Sequence, residues 1–196
     1  MKGFLYILII SITLFFMIGC SSYENDMNNV SNQLEIIDSG EYYRIYKENT
    51  NILSYDIYGL NGEIILSEKT ERPLEINMLT DSIVDIKIGM GTGIAVHTYY
   101  NVKEDVFSRN FTYVISSSDD LIAYIDVQKE QPFKNRKIVI QNIFNVNLFY
   151  KEFLLDFSNI DTPVIDASFS EDNNSLRLIY LSGEEQKQIS TVLNLT

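Results

Sequence analysis

His97 is the only histidine and Cys20 the only cysteine among 196 residues. A lone imidazole catalyses acyl transfer only when the fold supplies a Ser or Cys nucleophile and an orienting carboxylate. No G-x-S-x-G elbow is present, so His97 reads as a half-exposed strand residue, with Ala95 and Tyr99 on its own side. One histidine without a spare cysteine does not make a zinc site. The run Ile88-Gly89-Met90-Gly91-Thr92-Gly93 suggests a phosphate cradle, but such a cradle needs a helix N-terminus behind it. Here Ile94 to Tyr100 follows, which reads as a strand, so a hairpin or bulge with glycine at positive φ is expected. Whether Gly89 to Gly93 is also a ligand-contacting loop stays open. Asp119-Asp120, Glu171-Asp172 and Glu184-Glu185 carry paired carboxylates without the alternating rhythm of a calcium loop, and read as solvated turns. The sequence thus assigns no catalytic, cofactor-binding or metal-ligating residue, and no cofactor is expected.

The elements that would position these groups are strands. From Leu34 onward the chain runs in short apolar segments with period-two alternation, broken by turn residues, and no window shows a helical stripe of ten residues. Ile83-Val84-Asp85-Ile86-Lys87-Ile88 alternates as a half-buried strand does. Asn61-Gly62 between two apolar runs marks a hairpin. Further strands are expected at Tyr42–Lys47, Ile52–Tyr58, Glu63–Ser67, Leu74–Leu79, Ile94–Tyr100 and Val106–Ile115. Beyond these come Leu121–Val127, Lys137–Phe144, Leu148–Phe157, Val164–Phe169, Leu176–Leu181 and Gln188–Leu195. The expected class is all-β, an antiparallel meander of about 12–15 short strands. The segments group as 34–72, 73–117, 118–160 and 161–196, near the length of a four-stranded blade. A small or incomplete β-propeller is expected, with a β-sandwich as the alternative.

Ahead of this domain, Lys2 precedes an apolar run from Phe4 to Ile18 that ends on Met17-Ile18-Gly19-Cys20. A positive start, a short apolar core and a small residue before the cut form the anatomy of a signal peptide. The run falls short of the roughly 20 residues a membrane-spanning helix needs. Residues 21–33 are polar and Asn-rich and read as a flexible tether. The expected organisation is therefore a signal peptide over 1–19, a lipidated N-terminus and tether over 20–33, and an all-β domain over 34–196.

Met17-Ile18-Gly19-Cys20 resembles the lipobox of bacterial lipoproteins, with Met where that family prefers Leu. The resemblance implies that Cys20 is diacylated, becomes the mature N-terminus and holds the protein to the extracytoplasmic face of the cell membrane. Phe169-Ser170-Glu171-Asp172-Asn173-Asn174-Ser175-Leu176 resembles the hairpin of TolB-like propeller repeats, with Asn where the repeat has its turn glycine. The chain as a whole is similar to small surface lipoproteins of low-GC Gram-positive bacteria.

A formal charge of −12 argues against nucleic acid, since phosphate binding needs clustered Lys and Arg. Loss of residues 1–19 removes one lysine and no acid, which leaves the remainder more acidic still. The expected partners are the membrane, through the lipid, and an envelope protein or a cationic ligand. The 13 Tyr and 11 Phe concentrate in the strands, where they serve both as β-formers and as interface residues. The leading expectation is a non-catalytic binding module. Behind it stand an accessory or inhibitory subunit of another envelope protein, and a carboxylate-based envelope hydrolase.

Overall fold

The computed structural model describes residues 34–91, 93–127, 136–160 and 162–196. These form an all-β domain of four antiparallel sheets that follow one another along the chain. Sheet 1 holds β1 (Glu35–Ser39), β2 (Tyr43–Lys47), β3 (Leu53–Tyr58) and β4 (Ile64–Thr70) in sequence order. Sheet 2 holds β5 (Leu74–Thr80), β6 (Ile83–Gly89), β7 (Ala95–Asn101) and β8 (Val106–Phe107), and β9 (Phe111–Thr112) also pairs with β7. Sheet 3 holds β10 (Val114–Ser118), β11 (Leu121–Asp126), β12 (Lys137–Asn142) and β13 (Tyr150–Leu154). Sheet 4 holds β14 (Val164–Phe169), β15 (Ser175–Ser182) and β16 (Lys187–Asn194).

Three cores join the sheets in chain order. Ile45, Tyr55 and Ile57 of sheet 1 pack on Ile76, Val84, Ile86 and Tyr100 of sheet 2. The other face of sheet 2 gives Ile83, Tyr99 and Phe111 to a core with Ile122 and Ile143 of sheet 3. Leu121, Ala123, Ile138 and Ile140 then meet Leu176, Leu178, Tyr180 and Leu193 of sheet 4. Consecutive meanders are thus joined in series, each packed on the next along the chain. Among the described residues no core cluster joins sheet 1 to sheet 4.

The sequence records this order. Sheet 3 is covered on both faces, and Leu121-Ile122-Ala123-Tyr124-Ile125 and Ile138-Val139-Ile140 are near-continuous apolar runs. Sheet 1 has one covered face, and Tyr43-Arg44-Ile45-Tyr46-Lys47 alternates accordingly.

The described residues form sixteen strands, one beyond the expected range, for two reasons. Glu35–Ser39 adds a first strand, and the expected strand over 106–115 breaks into β8, β9 and the start of β10. Tyr113 is the single residue between β9 and β10, where the chain leaves sheet 2 for sheet 3. It takes φ 55°, a left-handed value that turns the chain sharply. The second sheet group therefore ends at Thr112 rather than at 117.

In each sheet the ladder between the first two strands carries an irregularity, at Ile36/Asp38, Met78/Thr80, Val114/Ser116 and Val164/Asp166. Such bulges increase local twist and re-aim the side chains beside them.

Candidate functional site

A cleft of about 520 Å³ lies where sheets 2, 3 and 4 meet. Sheet 2 contributes Lys87, Ala95 and His97, with Gly93 and Ile94 from the loop between them. The edge strands β10 and β14 form the opposite sides, and both bear their bulges there. Val114, Ile115 and Ser116 line the cleft from one, and Val164, Ile165 and Asp166 from the other.

His97 lies opposite Lys87 in the ladder, on the face that carries Asp85 and Tyr99. Its Nδ1 stands 3.0 and 3.1 Å from the two oxygens of Asp85, with the side chains only 13% and 16% exposed. The imidazole is thus more enclosed than the half-exposed strand residue expected from sequence. A carboxylate only accepts, so Nδ1–H donates to Asp85 and Nε2 is the ring nitrogen left to meet a ligand. The ring also stacks beside Tyr99, with centroids 6.2 Å apart. The Tyr99 hydroxyl is fully buried without a hydrogen bond of ordinary length, and Ser117 of the cleft wall stands near it. Burial, and then the Asp85 carboxylate, push that phenol far above its usual range.

Lys87 is held at 2.9 Å by Glu75. Lys87 and then Asn77 donate to Glu75 and keep its carboxyl below the ordinary range. Glu152 and Asp172 are likewise lowered, the first mainly by Lys137 and the second mainly by Ser170. These carboxylates are held ionised, the opposite of what a general acid needs.

The glycine run closes a hairpin, as read from the sequence. Met90 N–H donates to Ile94 carbonyl at 2.7 Å, Gly91 and Gly93 take φ of 89° and 75°, and strand β7 follows. A Cβ at Gly93 would meet nothing within 4 Å, so the backbone angle, not space, calls for glycine. The loop is also a wall of the cleft, through Gly93 and Ile94.

The acidic turns lie elsewhere. Asp119 and Glu171-Asp172, remote in sequence, come together through Asn173, whose amide donates to Asp119 at 2.9 Å and accepts from Ser118 at 2.8 Å. Asn173 takes φ 55°, so Asn fills the left-handed turn position expected of it. Glu184-Glu185 sits in the turn between β15 and β16. Among the described residues no group of three His, Cys, Asp or Glu is placed to hold a metal ion.

The tyrosines divide. Tyr43, Tyr55, Tyr99 and Tyr100 are buried in the cores. Tyr46 and Tyr58 stand together on the open face of sheet 1, their hydroxyls 3.2 Å apart, with the Arg44 guanidinium 5.2 Å from the Tyr58 ring centre. Cys20 and the apolar run before it lie outside the described residues.

Sequence reasoning found His97 and the glycine loop but missed Asp85, Tyr113, Ser116, Ser117 and Asp166. Asp85 was within reach, since a hairpin pairing Lys87 with His97 puts it on the same face. The residues of β10 and β14 join the site only through packing between sheets, which carries no local signal. No family model and no curated protein sequence matches this chain.

Proposed function

We propose that this chain is a lipid-anchored, extracytoplasmic binding module. Cys20 carries the acyl chains, and the all-β domain from Leu34 presents the cleft between sheets 2, 3 and 4 to a ligand. The observation that carries the binding reading is the cleft itself: two bulged edge strands from different sheets re-aim side chains into one recess. The lipobox residues Met17 to Cys20 support the anchor, since two acyl chains hold stably where one does not.

Intact mass and membrane partition of the native protein beside Cys20→Ala test the anchor. Added acyl mass on the native chain, with both the mass and membrane association lost in the variant, is the expected result. An unmodified mass for the native protein, or equal membrane retention of both forms, would overturn it.

A further inference from the structure

We infer that the cleft between sheets 2, 3 and 4 takes an aliphatic ammonium group, read by His97 and Asp166 and seated along the bulged edges of β10 and β14. The inference rests on the binding reading above and names its ligand class. Four observations carry it.

The first is the donor and acceptor inventory. Asp85 holds Nδ1–H, so in the neutral tautomer that this contact selects Nε2 accepts, and Nε2 makes no hydrogen bond within the described residues. The exposed Asp166 carboxylate, on the cleft's lip, makes none either. Both groups ask a ligand to donate. The second is charge. Among the described residues Lys87 is the one Lys or Arg of the lining, and Glu75 already matches it at 2.9 Å. Asp166 remains in the lining, with Asp85 against His97, and the whole chain at −12 steers cations toward itself. The third is the apolar share of the wall. Ile94, Ala95, Ile115, Ile165 and Ala167 offer aliphatic surface, and Ile165 is 54% exposed. A methylene stem covers such surface while its ammonium reaches the acceptors. The fourth is the left-handed backbone of Tyr113 in the cleft wall, with φ 55°; bulky residues keep such angles where the surrounding structure requires them.

A series of five-carbon probes tests the inference on the full-length chain in detergent: cadaverine, 1,5-pentanediol and glutarate, which have equal carbon counts and differ in end-group charge. Isothermal titration is expected to show cadaverine binding about tenfold or more tighter than pentanediol, the scale of one charge-assisted hydrogen bond, and no binding of glutarate. Asp166→Asn, at an exposed position that folding tolerates, weakens cadaverine about tenfold. His97→Phe does the same, with unchanged near-UV circular dichroism as its folding check. Lys87→Gln acts in the opposite direction and tightens cadaverine, because Glu75 is freed. N-acetyl-lysine amide separates two sources of the same chemistry. Binding as tight as cadaverine assigns the ligand to a protein lysine, and cadaverine alone assigns it to a free diamine. Equal binding of diamine and diol, preference for glutarate, or folded His97→Phe and Asp166→Asn proteins with native affinity would each overturn the inference. None of these results bears on acylation of Cys20, so failure of the ligand class and failure of the anchor are read separately.

Discussion

Tyr113 holds a left-handed backbone that costs an L-residue about 1–2 kcal/mol, at the one position between a strand of sheet 2 and a strand of sheet 3. Its carbonyl accepts from Ile125 N–H at 3.1 Å, which ties the turn to sheet 3. Deleting the side chain in two ways separates strain from packing. Tyr113→Gly and Tyr113→Ala lose the same ring, but only glycine relieves the angle, so the Gly variant is expected to be more stable than the Ala variant by about 1 kcal/mol. Urea unfolding midpoints check this, and equal midpoints would mean the angle stores no strain. The Asp85–His97 contact is open to the same kind of test. In a double-mutant cycle of Asp85→Asn and His97→Gln, the coupling is expected at about 1 kcal/mol or more, because both side chains are largely enclosed. At this scale the sequence was half legible. It located His97 and the side of the strand it faces, but its partner belongs to the preceding strand and only the register names it.

At the scale of elements, period-two patterning carried most of the information. Ile83 to Gly89 alternates as its burial requires, and both it and Val164 to Phe169 appear as strands close to the expected bounds. The failure over residues 106–115 has a definite cause. Val106, Phe107, Phe111 and Val114 keep an apolar rhythm, yet the chain changes sheets within it, and no composition signal marks a residue that turns by φ rather than by type. The hairpin between β14 and β15 shows the reverse case, in which type and angle agree at Asn173. Its side chain also joins two sheets, through Ser118 and Asp119. Asn173→Asp keeps the size but replaces the amide donor with a charge facing Asp119. A loss of about 1 kcal/mol is expected, partly recovered at high salt. Asn173→Gly loses the link without the repulsion and is expected to lie between the two. A charge variant as stable as the native chain would show that the turn-to-turn contact contributes nothing to stability.

At the scale of the molecule, three cores in series and a surplus of acid set how the domain responds to pH. Tyr99 and Tyr100 lie fully buried on opposite faces of sheet 2, one in each of the cores that join it to its neighbours. Tyr55 is nearly as buried in the first core. Burial first, then Asp105, raises Tyr100 to about 12, and burial carries Tyr55 and Tyr99 further. A phenol whose folded pKa exceeds its unfolded value near 10 contributes stability fully present below pH 10. That stability declines as the pH rises toward the folded value, because the unfolded chain ionises first. The added negative charge on an already acidic chain works in the same direction. Alkaline unfolding is therefore expected to begin just above pH 10, with phenolate absorbance and near-UV circular dichroism changing in one coincident step. Tyr100→Phe keeps the ring in its core but removes both the ionisable group and its 2.8 Å bond to Asp105. It is expected to be less stable at neutral pH by about 1 kcal/mol and yet to unfold at a higher alkaline midpoint. A native protein whose tyrosines all titrate near pH 10 while the fold stays intact would contradict the burial of these phenols, and with it the packing of sheet 2 between its two neighbours.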